Sequence, residues 1–282
     1  MIRIGTAGWQ YRDWAGIVYP KPKPRGFDEL SAIAGFFNTV EINSSFYGPP
    51  RPQTTKSWAE RVIVNPGFRF TAKLWKGFTH ERNASLADEK LFKEGMDPLL
   101  ESGRLGAILI QFPWSFRNEP DNRAYLRKLR RMFEDYPLVV EVRHASWTEP
   151  DVLDEFAEMA VGVCNIDQPL FHRSVKPSAL TTSTIGYVRL HGRNYKQWFS
   201  LTADVRERYD YLYSPEELEP WVDRINEISS EAKETYVVTN NHNVGKAVAN
   251  AFELKALLTD EPLDIPPELL EKYPHLREIG GD

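Results

Sequence analysis

The chain has 282 residues, 27% of them charged and 41% apolar, with a net charge of −5. That length suits one large domain or two small ones, and the apolar share excludes wholesale disorder. The acidic balance disfavours a surface that gathers nucleic acid, and no apolar run approaches the roughly 18 residues of a membrane span.

Short β-rich runs recur along the whole length. They are Ile2–Thr6, Thr39–Asn43, Phe68–Lys73, Ala107–Phe112, Leu138–Arg143, Val161–Ile166, Gly186–His191 and Thr235–Asn240. Segments of helical periodicity separate most of them. Asp28–Phe37 repeats apolar residues at Leu30, Ile33, Ala34 and Phe37, and Leu86–Ser102 is a longer amphipathic stretch. Asn122–Phe133 lines Tyr125, Leu126, Leu129, Met132 and Phe133 on one stripe, and Val152–Met159 repeats the pattern. Ser214, Pro215 and Glu217 read as an N-cap, a first-turn proline and a capping-box acid. A last helix is expected over Val244–Leu258, followed from about residue 259 to 282 by a proline-rich tail packed on the outside.

Parallel strands need long crossovers, so eight strands alternating with helices predict a single α/β domain over residues 1–282, a closed TIM-type (β/α)8 barrel. An open doubly wound sheet is the alternative. The Asp167–Ile185 connection, with Pro169, Pro177 and many Ser and Thr, predicts a short or missing helix between strands six and seven. The single Cys164 excludes an intrachain disulfide and a cysteine-based zinc site. The N-terminal residues lack the apolar stretch of a signal peptide. A soluble cytoplasmic protein is expected.

Seven strand ends carry polar residues that a purely structural strand does not need: Glu41 and Asn43, Lys73, Gln111, Glu141 with Arg143 and His144, Asp167, Arg189 with His191, and Asn240. In a barrel all these ends face one mouth. Side chains alternate faces along a strand. Glu41 and Asn43 therefore share one face, as do Glu141 and Arg143, and Arg189 and His191. Their neighbours Val40, Ile42, Val140, Val142, Val188 and Leu190 take the other. The apolar set would pack on helices and the charged set would point into the lumen. Buried charges must be paired, so an ion-pair network is expected among Glu41, Glu141, Arg143 and Arg189, with Lys73 as a further member.

Glu141 is the expected acid or base, with His191 or His144 as its partner, since imidazole titrates near neutral pH. Glu41 is the second catalytic candidate, and the two glutamates have the residue types of a glycosidase pair. Arg143, Arg189 and Lys73 suit a phosphate or carboxylate. Asn43, Gln111 and Asn240 would orient hydroxyls or carbonyls, with Asp167 in the same binding set. Aromatic residues reach 12%. Trp58 and Trp221 fall in helices, but Trp9, Trp14, Trp75, Trp114, Trp147 and Trp198 follow strands, and Trp9, Tyr11 and Trp147 are expected to face the ligand. His80, His172 and His275 have no local company and read as loop or surface residues. No metal is assigned, because neighbouring Arg and Lys would compete for the carboxylates. No phosphate-binding glycine loop, dinucleotide fingerprint, zinc-protease helix or nucleophile elbow is present, and no organic cofactor is expected.

The segments IRIGTAGWQYRDWAGIVYP, FNTVEINSSFYGPP, FRFTAKLWKGFTH, ILIQFPWSF, VEVRHASW, YVRLHGRN and NNHNVGKAVANA occur in that order. From Ile2 to about Leu257 the chain resembles the YecE-like family (domain of unknown function 72). The resemblance implies a TIM-type barrel. It brings no catalytic residues with it, yet its motifs hold the strand-end residues derived above.

The leading expectation is an enzyme doing acid/base chemistry, hydrolase or lyase in type, on a polar, anionic or sugar-like small molecule. The alternative is a non-catalytic binding protein for a nucleotide, single-stranded nucleic acid or carbohydrate, with nucleic acid the less favoured partner. A third reading, a polar core that is purely structural, predicts that Glu141→Gln or Arg189→Met alters mainly stability.

Overall fold

In the computed structural model, which describes residues 1–198, 205–261 and 263–280, every predicted β-rich run forms a strand. The strands are β1 (Ile2–Ala7), β2 (Thr39–Ile42), β3 (Arg69–Lys73), β4 (Leu105–Gln111), β5 (Leu138–Glu141), β6 (Gly162–Asp167), β7 (Ile185–Leu190) and β8 (Glu234–Thr239). Each pairs in parallel with the next, and β8 closes on β1 with Ile2 opposite Thr235. The result is the TIM-type barrel that the alternation predicts, and the open sheet is excluded. The outward-facing Val40, Ile42, Val140, Val142, Val188 and Leu190 are buried beneath the surrounding layer.

The helices start where local chemistry satisfies their free N–H groups. Asp28 caps α1 (Glu29–Phe36) by accepting from the N–H groups of Leu30 and Ser31. Pro52 opens α2 (Pro52–Arg61), and a single turn, α3 (Lys76–Thr79), follows β3. A Ser85–Asp88 capping box opens α4 (Leu86–Glu101). Prolines open α5 (Pro120–Met132) and α6 (Pro150–Glu158).

No helix lies in the described backbone between β6 and β7. The Asn165 side chain holds that connection instead, accepting from Ser178 Oγ and the Leu180 N–H at 2.8 Å each. After β7 come two single turns, α7 (Tyr195–Trp198) and α8 (Val205–Arg208), and then α9 (Pro215–Glu231), where Glu217 accepts from the Ser214 N–H at 3.1 Å.

The last barrel helix, α10 (Lys246–Leu258), begins two residues later than its apolar pattern suggests. Val244 and Gly245 have φ of 45° and 79°, which no α-helix accommodates. Beyond it α11 (Pro267–Lys272) and the following turn lie against α10's start and flank. Tyr273 donates to the Val244 carbonyl at 2.7 Å, and His275 reaches Glu253 at 3.2 Å. The Trp198 ring and Pro262 lie outside the described residues. Among those residues no helix is long and apolar enough to cross a membrane.

Candidate active site at the barrel mouth

Three strands from different parts of the barrel meet on one guanidinium. Arg189, on β7, contacts Glu41 on β2 at 2.7 Å and Glu141 on β5 at 2.5 Å. Arg143 binds the other oxygen of Glu141 at 2.8 Å. Tyr187, two residues before Arg189 and so on the same face, donates to Glu41 at 2.9 Å. Arg189, Glu41 and Glu141 are essentially without solvent contact. Burial alone would raise the Glu141 carboxyl, but Arg189, Arg143 and His191 together hold it well below the usual carboxylate range. Burial would likewise lower Arg189, and Glu141 and Glu41 reverse this and raise it.

His191, just past the end of β7, sits on this network. Its Nδ1 lies 2.9 Å from the Asn240 amide nitrogen and its Nε2 lies 3.3 Å from Glu141. With the amide donating to Nδ1, the ring proton belongs on Nε2 and is directed at the carboxylate. Burial, with Arg189 and Arg143 adding to it against Glu141, lowers His191 to about 3. The imidazole is therefore neutral at physiological pH. His144 is lowered too, by burial first and then by nearby basic residues, and its Nδ1 meets Ser146 Oγ at 2.7 Å.

Above the network the lumen opens into connected cavities. One of about 380 Å³ is lined by Tyr11, Asn43, Phe46, Lys73, Asn240 and His242, among others. It shares His80, Gln111 and Tyr209 with a second of about 330 Å³, which adds Trp114, Arg143, Gln168 and Phe171. A third of about 250 Å³ reaches Trp9 past Tyr11 and Asn43. A larger concavity of about 710 Å³ lies on the outer surface between α5 and α6. There Arg123 and Arg127 are paired with Asp151 and Glu155 on open surface, where ion pairs contribute little, so the mouth is the stronger candidate.

Lys73, the last residue of β3, is partly buried against the first cavity. Its Nζ lies 4.3 Å from the centre of the Phe46 ring, and among the described residues no carboxylate lies within ion-pair distance of it. Burial lowers it to about 7; Arg189 and Arg143 deepen the fall while Glu41 and Glu141 oppose it. Ser45 Oγ, 2.9 Å from the Ile42 carbonyl and 2.7 Å from that of Lys73, ties the ends of β2 and β3 together and fixes the lysine's backbone. Tyr11 lines the same cavity, stacked on His242 with ring centres 4.4 Å apart. Gly8 makes this possible: its φ is 84°, and a Cβ there would lie 2.8 Å from the Tyr11 hydroxyl. In the second cavity Gln111 Oε1, Trp114 Nε1 and both amide atoms of Gln168 are buried without a hydrogen-bond partner among the described residues.

The description "protein of unknown function DUF72" matches residues 3–273. The chain belongs to the DUF72 family. It is 32% identical over 290 residues to the UPF0759 protein YunF of Bacillus subtilis, covering 97% of this chain and all of that one. It is 30% identical to the UPF0759 protein YecE of Escherichia coli over 51% of this chain and 49% of YecE. A solved DUF72 protein from Thermotoga maritima is 34% identical with a TM-score of 0.79, covering 92% of this chain and 99% of that one. Another, from Enterococcus faecalis, is 29% identical with a TM-score of 0.81, over 95% and 98% of the two chains.

This DUF72 barrel gathers Glu41, Glu141, Arg143, Arg189, His191 and Asn240 in one network, with Lys73, Asn43, Gln111 and Tyr11 around the cavity above it. Two expected ligand contacts lie elsewhere. Asp167 faces outward, because Cys164, three residues earlier, is the β6 residue that shares the lumen with Glu141 and Arg189. Its carboxylate accepts from Arg193 at 2.9 and 2.7 Å, from Tyr213 at 2.9 Å and from Trp221 of α9 at 2.7 Å. The Trp147 ring is buried between Phe116 and Phe156 and donates to the Phe116 carbonyl, so it fills a loop core. Trp9 reaches the third cavity but packs edge-on against Trp58.

His80, a loop residue by its sequence, lines the mouth, packed edge-on against Phe46 with centres 5.0 Å apart. His242, Tyr209, Gln168 and Phe171 line it too, beyond the strand-end set. His242 lies in the polar Asn240–Asn243 run just beyond β8, a signal of the same kind as the other strand ends. Gln168 and Phe171 follow Asp167 in a stretch without periodicity to orient them. No group of three or more His, Cys, Asp or Glu that could hold a metal occurs among the described residues, because each lumen carboxylate faces a guanidinium.

Proposed function

We propose that this barrel is an enzyme whose site is the C-terminal mouth, acting by acid/base chemistry of the hydrolase or lyase type on a small polar ligand with an anionic or sugar-like group. The observation that carries the reading is Lys73: a cavity-lining amine without a carboxylate partner, lowered to about 7, changes protonation state where cells operate. Glu141 and His191 keep fixed charge states near neutral pH. In this reading Glu141 holds Arg143 and Arg189 and His191 donates to Glu141, while Lys73 exchanges the proton. Asn43, Gln111 and Asn240 supply neutral donors and acceptors for hydroxyls. The unpartnered Gln111, Gln168 and Trp114 atoms support a polar ligand, since an unmade buried hydrogen bond costs about 1–3 kcal/mol.

Calorimetric titration with gluconate, glucuronate and inorganic phosphate at about pH 6 and about pH 9 tests the reading, because only the lower pH keeps Lys73 fully cationic. Binding that weakens as pH rises, and that Lys73→Met abolishes, is expected. Binding indifferent to both sinks the reading. A second reading, a non-catalytic receptor for a carbohydrate or nucleotide, draws on Trp114 and Phe171, whose ring centres lie 5.8 Å apart beside Gln168. It predicts affinity that depends on Trp114 and ignores the charge of Lys73.

A further inference from the structure

We propose that Lys73 is a Schiff-base lysine, its amine condensing with the carbonyl carbon of a small aldehyde or ketone held in the barrel mouth. This deepens the reading above and rests on the mouth being the active site. Three features of the geometry carry it. The amine ends on a cavity of about 380 Å³ that continues into another of about 330 Å³, so there is room for a substrate of several carbons. The two lumen carboxylates that could have locked it as an ammonium are occupied, Glu41 by Arg189 and Tyr187, and Glu141 by Arg189 and Arg143. The amine sits over the face of Phe46, which shields one side of it from water without supplying a counter-charge. A lysine desolvated and set among other cations is the arrangement that keeps an amine nucleophilic at neutral pH, and the lowered value agrees with it.

The step balances without an added oxidant or reductant. The Lys73 lone pair forms the C–N bond as the carbonyl π pair moves to oxygen. The proton leaving nitrogen goes to that oxygen and gives a carbinolamine. A second proton, taken from solvent water at the open mouth, on the hydroxyl lets the C–O bond break; the departing water carries one former N–H proton and that solvent proton, while the other N–H stays on nitrogen. The product is an iminium, and the returning water reverses the sequence. His80 packs on the same Phe46 ring as Lys73. Burial, together with the Lys73 and Arg143 charges, lowers it to about 4, so it is a neutral imidazole able to carry the proton between nitrogen and oxygen. The substrate class is thus a short carbonyl compound bearing hydroxyl or anionic groups, activated at the carbon next to the carbonyl because the iminium draws electrons from it.

The test treats the full chain with glyoxylate, and in parallel with pyridoxal phosphate, reduces with borohydride and maps the adducts by peptide mass spectrometry. Lys73 is expected to be labelled at least about tenfold faster than the exposed lysines at neutral pH, since surface amines are almost wholly protonated there. The rate should rise with pH to about 7 and then level off. Lys73→Arg should lose the fast adduct and keep the slow ones. Adducts spread evenly over exposed lysines with both probes, or a Lys73 rate that climbs steadily to about pH 10, overturn the proposal. The two readings fail separately. Lysine-dependent anion binding without the fast adduct removes the imine and leaves the acid/base enzyme, whereas a fast adduct without anion binding removes the anionic ligand and leaves the imine.

Discussion

Arg189 and Lys73 are both cations drawn into the same barrel, and the structure treats them in opposite ways. Arg189 lies on the floor with two carboxylates and a neighbouring tyrosine committed to its surroundings, and its charge is fixed. Lys73 lies one layer nearer the mouth, beside an aromatic face, and its charge is negotiable. Burial is common to both; the supply of counter-charge is what differs. Two carboxylates cannot neutralise three cations, and Arg143 and Arg189, with their forked donors, take the share that Lys73 lacks.

The largest effect should come from breaking the floor. Glu141→Gln leaves Arg189 and Arg143 short of compensation, and urea denaturation should show a loss of about 3–5 kcal/mol. Adding Arg189→Met and Glu41→Gln to it should recover part of the loss, since the buried guanidinium and the carboxylate that depends on it are then removed together. Next comes a ring that serves packing alone. Trp147→Leu should cost roughly 2–3 kcal/mol while ligand affinity at the mouth stays unchanged.

Lys73→Met should act in the opposite direction to Glu141→Gln and stabilise the fold by roughly 1–2 kcal/mol near pH 6. The sign follows from the lowered value. Below about 7 the folded chain bears the whole cost of the buried ammonium, and above it the cost fades as the folded amine loses its proton while the unfolded one keeps it up to about 10.4. The gain from Met should therefore shrink between about pH 7 and about pH 10, which thermal melts across that range would show. The smallest effect is Phe46→Leu. Removing the ring withdraws about 0.5–1 kcal/mol of attraction for the ammonium, so the pH midpoint of Lys73 labelling should drop by about half a unit.

The sequence carried the barrel and its floor further than the mouth. Period-two alternation places Glu41, Glu141 and Arg189 on the same side of their strands, and closure then brings them together in the lumen. The same rule turns Asp167 outward, three residues along β6 from the inward Cys164. What the sequence could not supply is the allocation of partners. Lys73 reads as one more cation among carboxylates until the geometry assigns both to arginines. Trp147 and Trp114 look alike as loop tryptophans, and only packing separates the ring filled in by Phe116 and Phe156 from the ring beside an open cavity. His80 caps the end of a single helical turn, too short for any periodic signal to aim it.

The floor network also bears on how the chain reaches its native state. Glu41, Glu141 and Arg189 come from β2, β5 and β7, which are not neighbours in the barrel, and their contacts span 148 and 48 residues of chain. A fragment ending before β7 holds Arg143 for Glu141 but lacks the guanidinium that pairs with Glu41 and bridges the two glutamates, and an open array of strands does not bring both to it. Contacts so distant in sequence form late, after the entropy of closing long loops has been overcome. The network thus rewards circular closure specifically, and sets incomplete barrels apart from the finished one by an electrostatic cost that only the last strands remove.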